Sequence, residues 1–175
     1  MATSLSLEQI ITFLLDAPMF GDLDAAELSQ IVHIMQVRPL QAGEAVFEEG
    51  APGDAWYVLY DGAVEVAKAA GGTDRVIAEL GPRACFGEMA ILDGSPRSAT
   101  VRAVAASVAF KFPRASFGEL LSAGNLAAYK LVHQIALVLV ARQRNTTARL
   151  VELIVHQPQV RSEVAPIVDQ SSVAE

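Results

Sequence analysis

The chain has 175 residues, 52% of them hydrophobic, with a formal net charge of −7; this suits one domain, with or without a helical extension, and excludes a disordered polymer. The acidic balance argues against a nucleic-acid partner, since neutralisation of phosphates by Lys and Arg dominates such affinities. The longest clean apolar stretch, Ile135 to Ala141, falls far short of a membrane span, the N-terminus lacks a secretory pattern, and the single cysteine, Cys85, cannot form an internal disulfide, so no membrane partner is expected and the expected compartment is cytoplasmic.

Leu7, Ile10, Ile11 and Leu14 recur at helical spacing and predict a helix over 7–15, with Ser6 as its N-cap and Ala17-Pro18 as its end. A second helix is predicted from Asp24 to Met35, where Asp24 and Glu27 have the spacing of a capping box and Pro39 breaks any continuation. From Val37 to Phe112 the pattern changes to short β-type runs separated by turn residues. They are Ala45–Phe47, Trp56–Tyr60 before the hairpin pair Asp61-Gly62, Ala63–Ala67, Arg75–Leu80, Ser98–Ala103 and Ser107–Phe112. Many short strands at even spacing predict an antiparallel sandwich or barrel. The rhythm fails between Leu80 and Ser98, where Phe86 to Leu92 reads as a short helical turn closed by Asp93-Gly94-Ser95-Pro96. After Pro113 come a short helix over 116–122, a break at Ala123-Gly124-Asn125, and a long helix from Leu126 to Ile154. Leu131, Ile135, Val138 and Leu139 mark its apolar face, renewed at Leu150, Leu153 and Ile154. Residues 1–156 thus read as one domain, and the polar tail 157–175 as disordered.

An interruption of a β-rich pattern is a place to look for function. Gly87 lets a ligand approach the backbone, and N–H groups at a helix start favour anions. Arg97 can fork onto a phosphate, Ser98 adds a hydroxyl donor, and Glu88 can accept from a sugar hydroxyl. This set suits one phosphate and one ribose, and it is not a triphosphatase loop, since no Gly-Lys-Ser/Thr occurs. The bland readings are that Arg97 is a surface arginine paired to Glu88, Glu88 a helix-capping carboxylate, Ser98 a strand residue, and Cys85 a small core filler. Trp56 and Tyr57 read as core. Arg83, Arg97, Arg102, Lys111 and Arg114 form a basic cluster in sequence.

Phe86-Gly87-Glu88-Met89-Ala90-Ile91-Leu92 followed by Pro96-Arg97-Ser98-Ala99-Thr100 closely resembles the phosphate-binding cassette of cyclic nucleotide-binding domains. That family includes the bacterial catabolite activator protein and the regulatory subunits of cAMP-dependent protein kinase. The resemblance extends from about Leu15 to Ile154, through the Gly43 turn, the Gly50–Asp54 loop and the Tyr57–Gly62 hairpin. It implies an eight-stranded antiparallel, jelly-roll-like β-roll with N-terminal helices, an inserted cassette helix and a long C-terminal helix. It implies that Glu88 holds the ribose 2′-hydroxyl and Arg97 the cyclic phosphate, within a ligand-binding set of Gly87, Glu88, Met89, Ala90, Arg97, Ser98 and Ala99. Ser98, where a Thr accompanies cGMP, points to cAMP, with cGMP as the alternative. The long helix caps the base in this family, which makes Arg142, Gln143 and Thr146 candidate contacts from this subunit or a partner.

The metal enzymes among the similar cupin rolls need two or three His with a carboxylate on the strands. Here His33, His133 and His156 fall on helical segments or their ends, so neither a metal site nor an enzyme is expected. Activators of the resembled family carry a DNA-reading unit after the long helix, and the polar residues after Ile154 are too few for one. The expectation is a free-standing cyclic nucleotide sensor that signals by a change of shape or assembly, with no cofactor besides its ligand. Its partner would be a second copy on the long helix or another, unidentified protein. A ligand-independent interaction module and a pocket for a cyclic dinucleotide are the alternatives.

Overall fold

The computed structural model describes residues 5–156; the expected disordered tail, 157–175, lies outside the described residues. Two helices open the chain. Helix α1 (Leu7–Leu15) starts at a capping box made by Ser6 and Gln9, and α2 (Ala25–Val32) at one made by Asp24 and Glu27. Each box satisfies two backbone N–H groups that a helix start leaves unpaired. Between them Pro18–Phe20 forms a 3₁₀ turn that buries Met19 and Phe20. Helix α2 ends earlier than its periodicity predicts, with His33 as C-cap, and the chain enters strand β1 (Gln36–Leu40). Pro39 does not break this strand. The strand lies at a sheet edge, paired only with β8, where a residue without an N–H is tolerated.

The remaining strands are β2 (Ala45–Phe47), β3 (Ala55–Asp61), β4 (Val64–Ala70), β5 (Thr73–Leu80), β6 (Cys85–Phe86), β7 (Thr100–Ala103) and β8 (Ser107–Pro113). They form two four-stranded antiparallel sheets, ordered β1-β8-β3-β6 and β2-β7-β4-β5. The expected eight-stranded antiparallel roll is the observed one. Helix α3 (Met89–Asp93) interrupts it, and α4 (Arg114–Ser122) and α5 (Leu126–His156) come after the last strand. Asn125 starts α5 by accepting from the Ala128 N–H at 3.0 Å.

The two sheets differ in burial. Along β3, Ala55 to Leu59 are all buried. Ala55, Tyr57 and Leu59 face the interior of the roll with Leu40, Val46, Val64, Phe86, Val101, Ala103 and Ala109. Their neighbour Trp56 points to the other face, stacks on Phe112 at 4.0 Å and meets Phe20 and Phe117. A strand buried on both faces reads as a continuous apolar run, as Trp56–Tyr60 does. Strand β5 is the opposite case, an edge strand whose residues are exposed from Thr73 to Glu79, including Val76 and Ile77.

The chain divides into a unit ending at Ala136 and another beginning at Leu137. In the first, α5 buries Ala127, Ala128, Leu131 and Ile135. Lys130 pairs with Glu27 at 2.5 Å, Gln134 donates to Asp22, and the Asn125 amide donates to Gln30 at 2.6 Å. The second unit is the helix from Leu137, where Val138, Leu139, Leu150 and Ile154 of the expected stripe are half-buried and Leu153 is exposed. Among the described residues no helix is long and apolar enough to cross a membrane.

Phe112→Ala removes the ring under Trp56 and should cost roughly 3–5 kcal/mol. Urea unfolding followed by the fluorescence of Trp56, the single tryptophan, measures it.

Candidate functional site

Gly87 follows β6 with φ +76°, a backbone state that L side chains rarely adopt. A Cβ there would sit 2.7 Å from Arg97 Nη1 and 3.1 Å from the Phe47 ring. Glycine is therefore required twice, for its dihedral and for the space that Arg97 fills. Glu88 comes next and is only 2% exposed. It occupies the N-cap position of α3, but its side chain makes no capping hydrogen bond, so the capping reading fails. Helix α3 has five residues, too short for its dipole to favour an anion strongly. It does offer the first N–H groups of a helix, which lack intrahelical partners.

Arg97 is not a surface arginine: its residue is 3% exposed. Its backbone is clipped to the loop before β3, donating to Ala51 O at 2.8 Å and accepting from the Gly50 N–H at 2.9 Å. Its Nη1 donates to Gly87 O at 2.9 Å, and Nη2 donates to Ala55 O at 2.6 Å and Asp54 Oδ1 at 3.1 Å. The guanidinium lies over the Phe47 ring, 4.0 Å from its centroid, a cation–π contact. Its Nε, like Trp56 Nε1 in the core, is buried and has no hydrogen-bond partner among the described residues. An unsatisfied buried donor costs about 1–3 kcal/mol and is rare in native folds.

Asp54 is held on its far side by Lys111, whose Nζ donates to Oδ2 at 3.0 Å. Burial pushes the Asp54 carboxyl up; the hydrogen bond and charge of Lys111, followed by a backbone hydrogen bond at Asp54 and the charge of Arg97, outweigh it and hold the carboxyl below its usual value. A second polar group lies beside the cassette. Lys68 donates to Glu49 Oε1 at 2.6 Å and to the Ser98 carbonyl at 2.7 Å, and the Glu49 N–H donates to Thr100 Oγ1 at 3.0 Å.

The structure brings Gly87, Glu88, Met89, Arg97, Ser98 and Ala99 into one neighbourhood. Ser98 and Met89 are exposed and in contact, with Oγ 3.9 Å from Sδ, while the Ala99 methyl is buried. Ala90 lies in α3, and its side chain is outside the described ones. Arg142, Gln143 and Thr146 are exposed on α5 beyond Leu137, and the Thr146 hydroxyl donates to Arg142 O at 2.9 Å. The basic cluster of the sequence is dispersed: Arg83 pairs with Asp16 and Arg102 with Glu65 and Asp74, and only Arg97 and Lys111 share a partner. Among the described residues no three His, Cys, Asp or Glu side chains are grouped to hold a metal. Sequence reading missed Asp54, Ala55 and Phe47 as partners of the cassette and Lys111 as the partner of Asp54, because they lie on other strands and loops of the chain.

Residues 37–123 match the profile of the cyclic nucleotide-binding domain. This part of the chain belongs to that family. The cyclic nucleotide-binding domain thus contains Gly87 to Ala99 with Asp54 and Lys111, and the match ends before Arg142. Over 95 residues, 54% of its length, the chain is 38% identical to a cAMP-dependent protein kinase regulatory subunit of Mycosarcoma maydis, of which it spans 18%. It is similar to the crystal structure of a cyclic nucleotide-binding domain from Methylobacillus flagellatus, with 26% identity, a TM-score of 0.75, and 83% and 84% of the two chains covered. It is similar also to the catabolite activator protein of Thermus thermophilus, with 30% identity, a TM-score of 0.69, and coverage of 78% and 62%.

This geometry has two measurable consequences. Gly87→Ala should destabilise the domain by roughly 1–2 kcal/mol from the left-handed backbone alone, with more from displacing Arg97, read as a lower urea midpoint. Because the Asp54 carboxyl is depressed below its usual 3.8, its contribution to stability is present above that value and is lost as pH falls through the lower folded value. The stability gap between the wild type and Asp54→Asn should therefore narrow between about pH 5 and the acid limit of folding, by paired urea titrations at about pH 7 and pH 3.

Proposed function

We propose that this chain binds a cyclic mononucleotide, cAMP in preference to cGMP, at the cassette, and signals by a change of shape or assembly rather than by catalysis. The observation that carries this reading is the buried Nε of Arg97, a charged donor without a partner in a side chain whose other nitrogens are bonded. A phosphate oxygen satisfies such a donor and neutralises its charge. Gly87 keeps side-chain atoms off the backbone beside it, and the buried carboxylate of Glu88 suits a sugar hydroxyl. Ser98 at the position after Arg97, and a matched relative named for cAMP dependence, favour adenine.

A second reading is a ligand-independent interaction module. It is favoured by one feature: the terminal nitrogens of Arg97 already have protein partners at Gly87, Ala55 and Asp54. The two readings diverge in a titration of nucleotide-free protein with cAMP and cGMP by calorimetry. Micromolar or tighter binding supports the sensor, and Arg97→Ala should then weaken it by roughly 2–5 kcal/mol, about 30- to 4,000-fold. Absence of heat with both nucleotides on verified empty protein supports the module, and unchanged binding by Arg97→Ala removes the site assignment.

The output we propose is assembly through the long helix. From Leu137 onward it exposes Leu137, Val140, Val151, Leu153 and Val155, each between 48% and 68% accessible. Apolar side chains recurring along one long helix suit a second copy of the same helix. Size-exclusion chromatography with light scattering should give a dimer of the 18.6 kDa chain, and a monomer at high concentration rejects it.

A further inference from the structure

Asp54 lies between two cations contributed by different elements. Arg97 reaches Oδ1 from the loop after α3, and Lys111 reaches Oδ2 from β8, where it stands in register between Gln36 of β1 and Tyr57 of β3. Their environments differ sharply: the Arg97 side chain is 1% exposed, Lys111 25% and Asp54 63%. Lys111 contributes more than Arg97 to stabilising the Asp54 charge. The guanidinium is only partly committed to Asp54, since Nη2 is shared with Ala55 O and Nε has no partner.

On the cyclic nucleotide reading proposed above, on which this role rests, the arriving phosphate and the Asp54 carboxylate are two anions facing one guanidinium. The ion-paired set of Arg97, Lys111 and Asp54 carries a net charge of +1. Without Lys111 the sum is zero, and Asp54 has only Arg97 to pair with. We infer that Lys111 is a positioning residue of the site: it holds Asp54 as a shared partner of Arg97, so that the guanidinium is available to a phosphate. Lys111 touches no ligand in this role. It acts by relieving a competition, which predicts a specific dependence on the charge of Asp54.

The test is a double-mutant cycle in cAMP affinity by calorimetry on the full chain, with thermal melts to establish that each variant is folded. Lys111→Met should bind about 10-fold more weakly than wild type near 0.1 M salt, and less so as salt is raised. Lys111→Arg, which keeps the charge, should stay within about threefold. In the Asp54→Asn background the loss caused by Lys111→Met should shrink to within about threefold, because no carboxylate then competes. Lys111→Gln replaces the Met variant if that one fails to fold. Wild-type affinity in Lys111→Met overturns the inference, as does a loss of equal size in both Asp54 backgrounds, which makes Lys111 an ordinary distant charge. If wild type itself binds neither cAMP nor cGMP, the cyclic nucleotide reading fails and takes the role of Lys111 with it; if wild type binds and only the cycle fails, Lys111 alone is misassigned.

Discussion

The guanidinium of Arg97 is taken out of water almost completely, and burying a cation is costly to the extent that its hydrogen bonds and charge are not met. Much of the local architecture reads as a response to that demand. The Gly87 and Ala55 carbonyls accept two of its N–H groups, Asp54 supplies the opposite charge, and the Phe47 face covers the plane. Each partner constrains the chain around it. Gly87 must be glycine to let Arg97 approach, and the Gly50–Asp54 loop must turn back so that both Ala51 and Ala55 face the same residue.

The site is divided between a rigid and a lightly held half. Ala55 opens β3, the strand buried on both faces, and Lys111 stands opposite Tyr57 of that strand, on the neighbouring β8. These belong to the sheet that the aromatic cluster of Trp56, Phe112, Phe20 and Phe117 braces against the helices. The cassette contributes Gly87, Glu88 and Arg97 from a two-residue strand, a five-residue helix and the loop after it. Few regular backbone hydrogen bonds hold such a segment, so local opening is easiest there. Arg97 joins the two halves, and a ligand that engages it acts on the junction. A ligand shifts a conformational equilibrium only through contacts that differ between states.

Much of the fold was legible in the sequence because its signals are local. The Ser6 cap, the Asp24–Glu27 capping box, the Asp61-Gly62 turn and the continuous apolar run of β3 arise from short-range chemistry. Pro39 does stop the helical pattern, and β1 accommodates it because an edge strand leaves one side of its backbone unpaired. A misread boundary also has a physical cause. Helix α2 continues in periodicity to Met35 but not in structure, since Val37 to Leu40 are drawn into pairing with β8.

The site divides along the same line. The sequence by itself singled out Gly87, Glu88, Arg97 and Ser98 as candidates, because they stand within one short interruption of the β pattern. Only the tertiary structure decided how Arg97 is held. Asp54, 43 residues before it, and Phe47 and Lys111 on other strands come to it through sheet pairing and loop closure, which no local periodicity encodes. The same holds for the basic cluster: Arg83 and Arg102 pair elsewhere while Arg97 and Lys111 meet at Asp54, since strand alternation and register, not order along the chain, settle which charges meet.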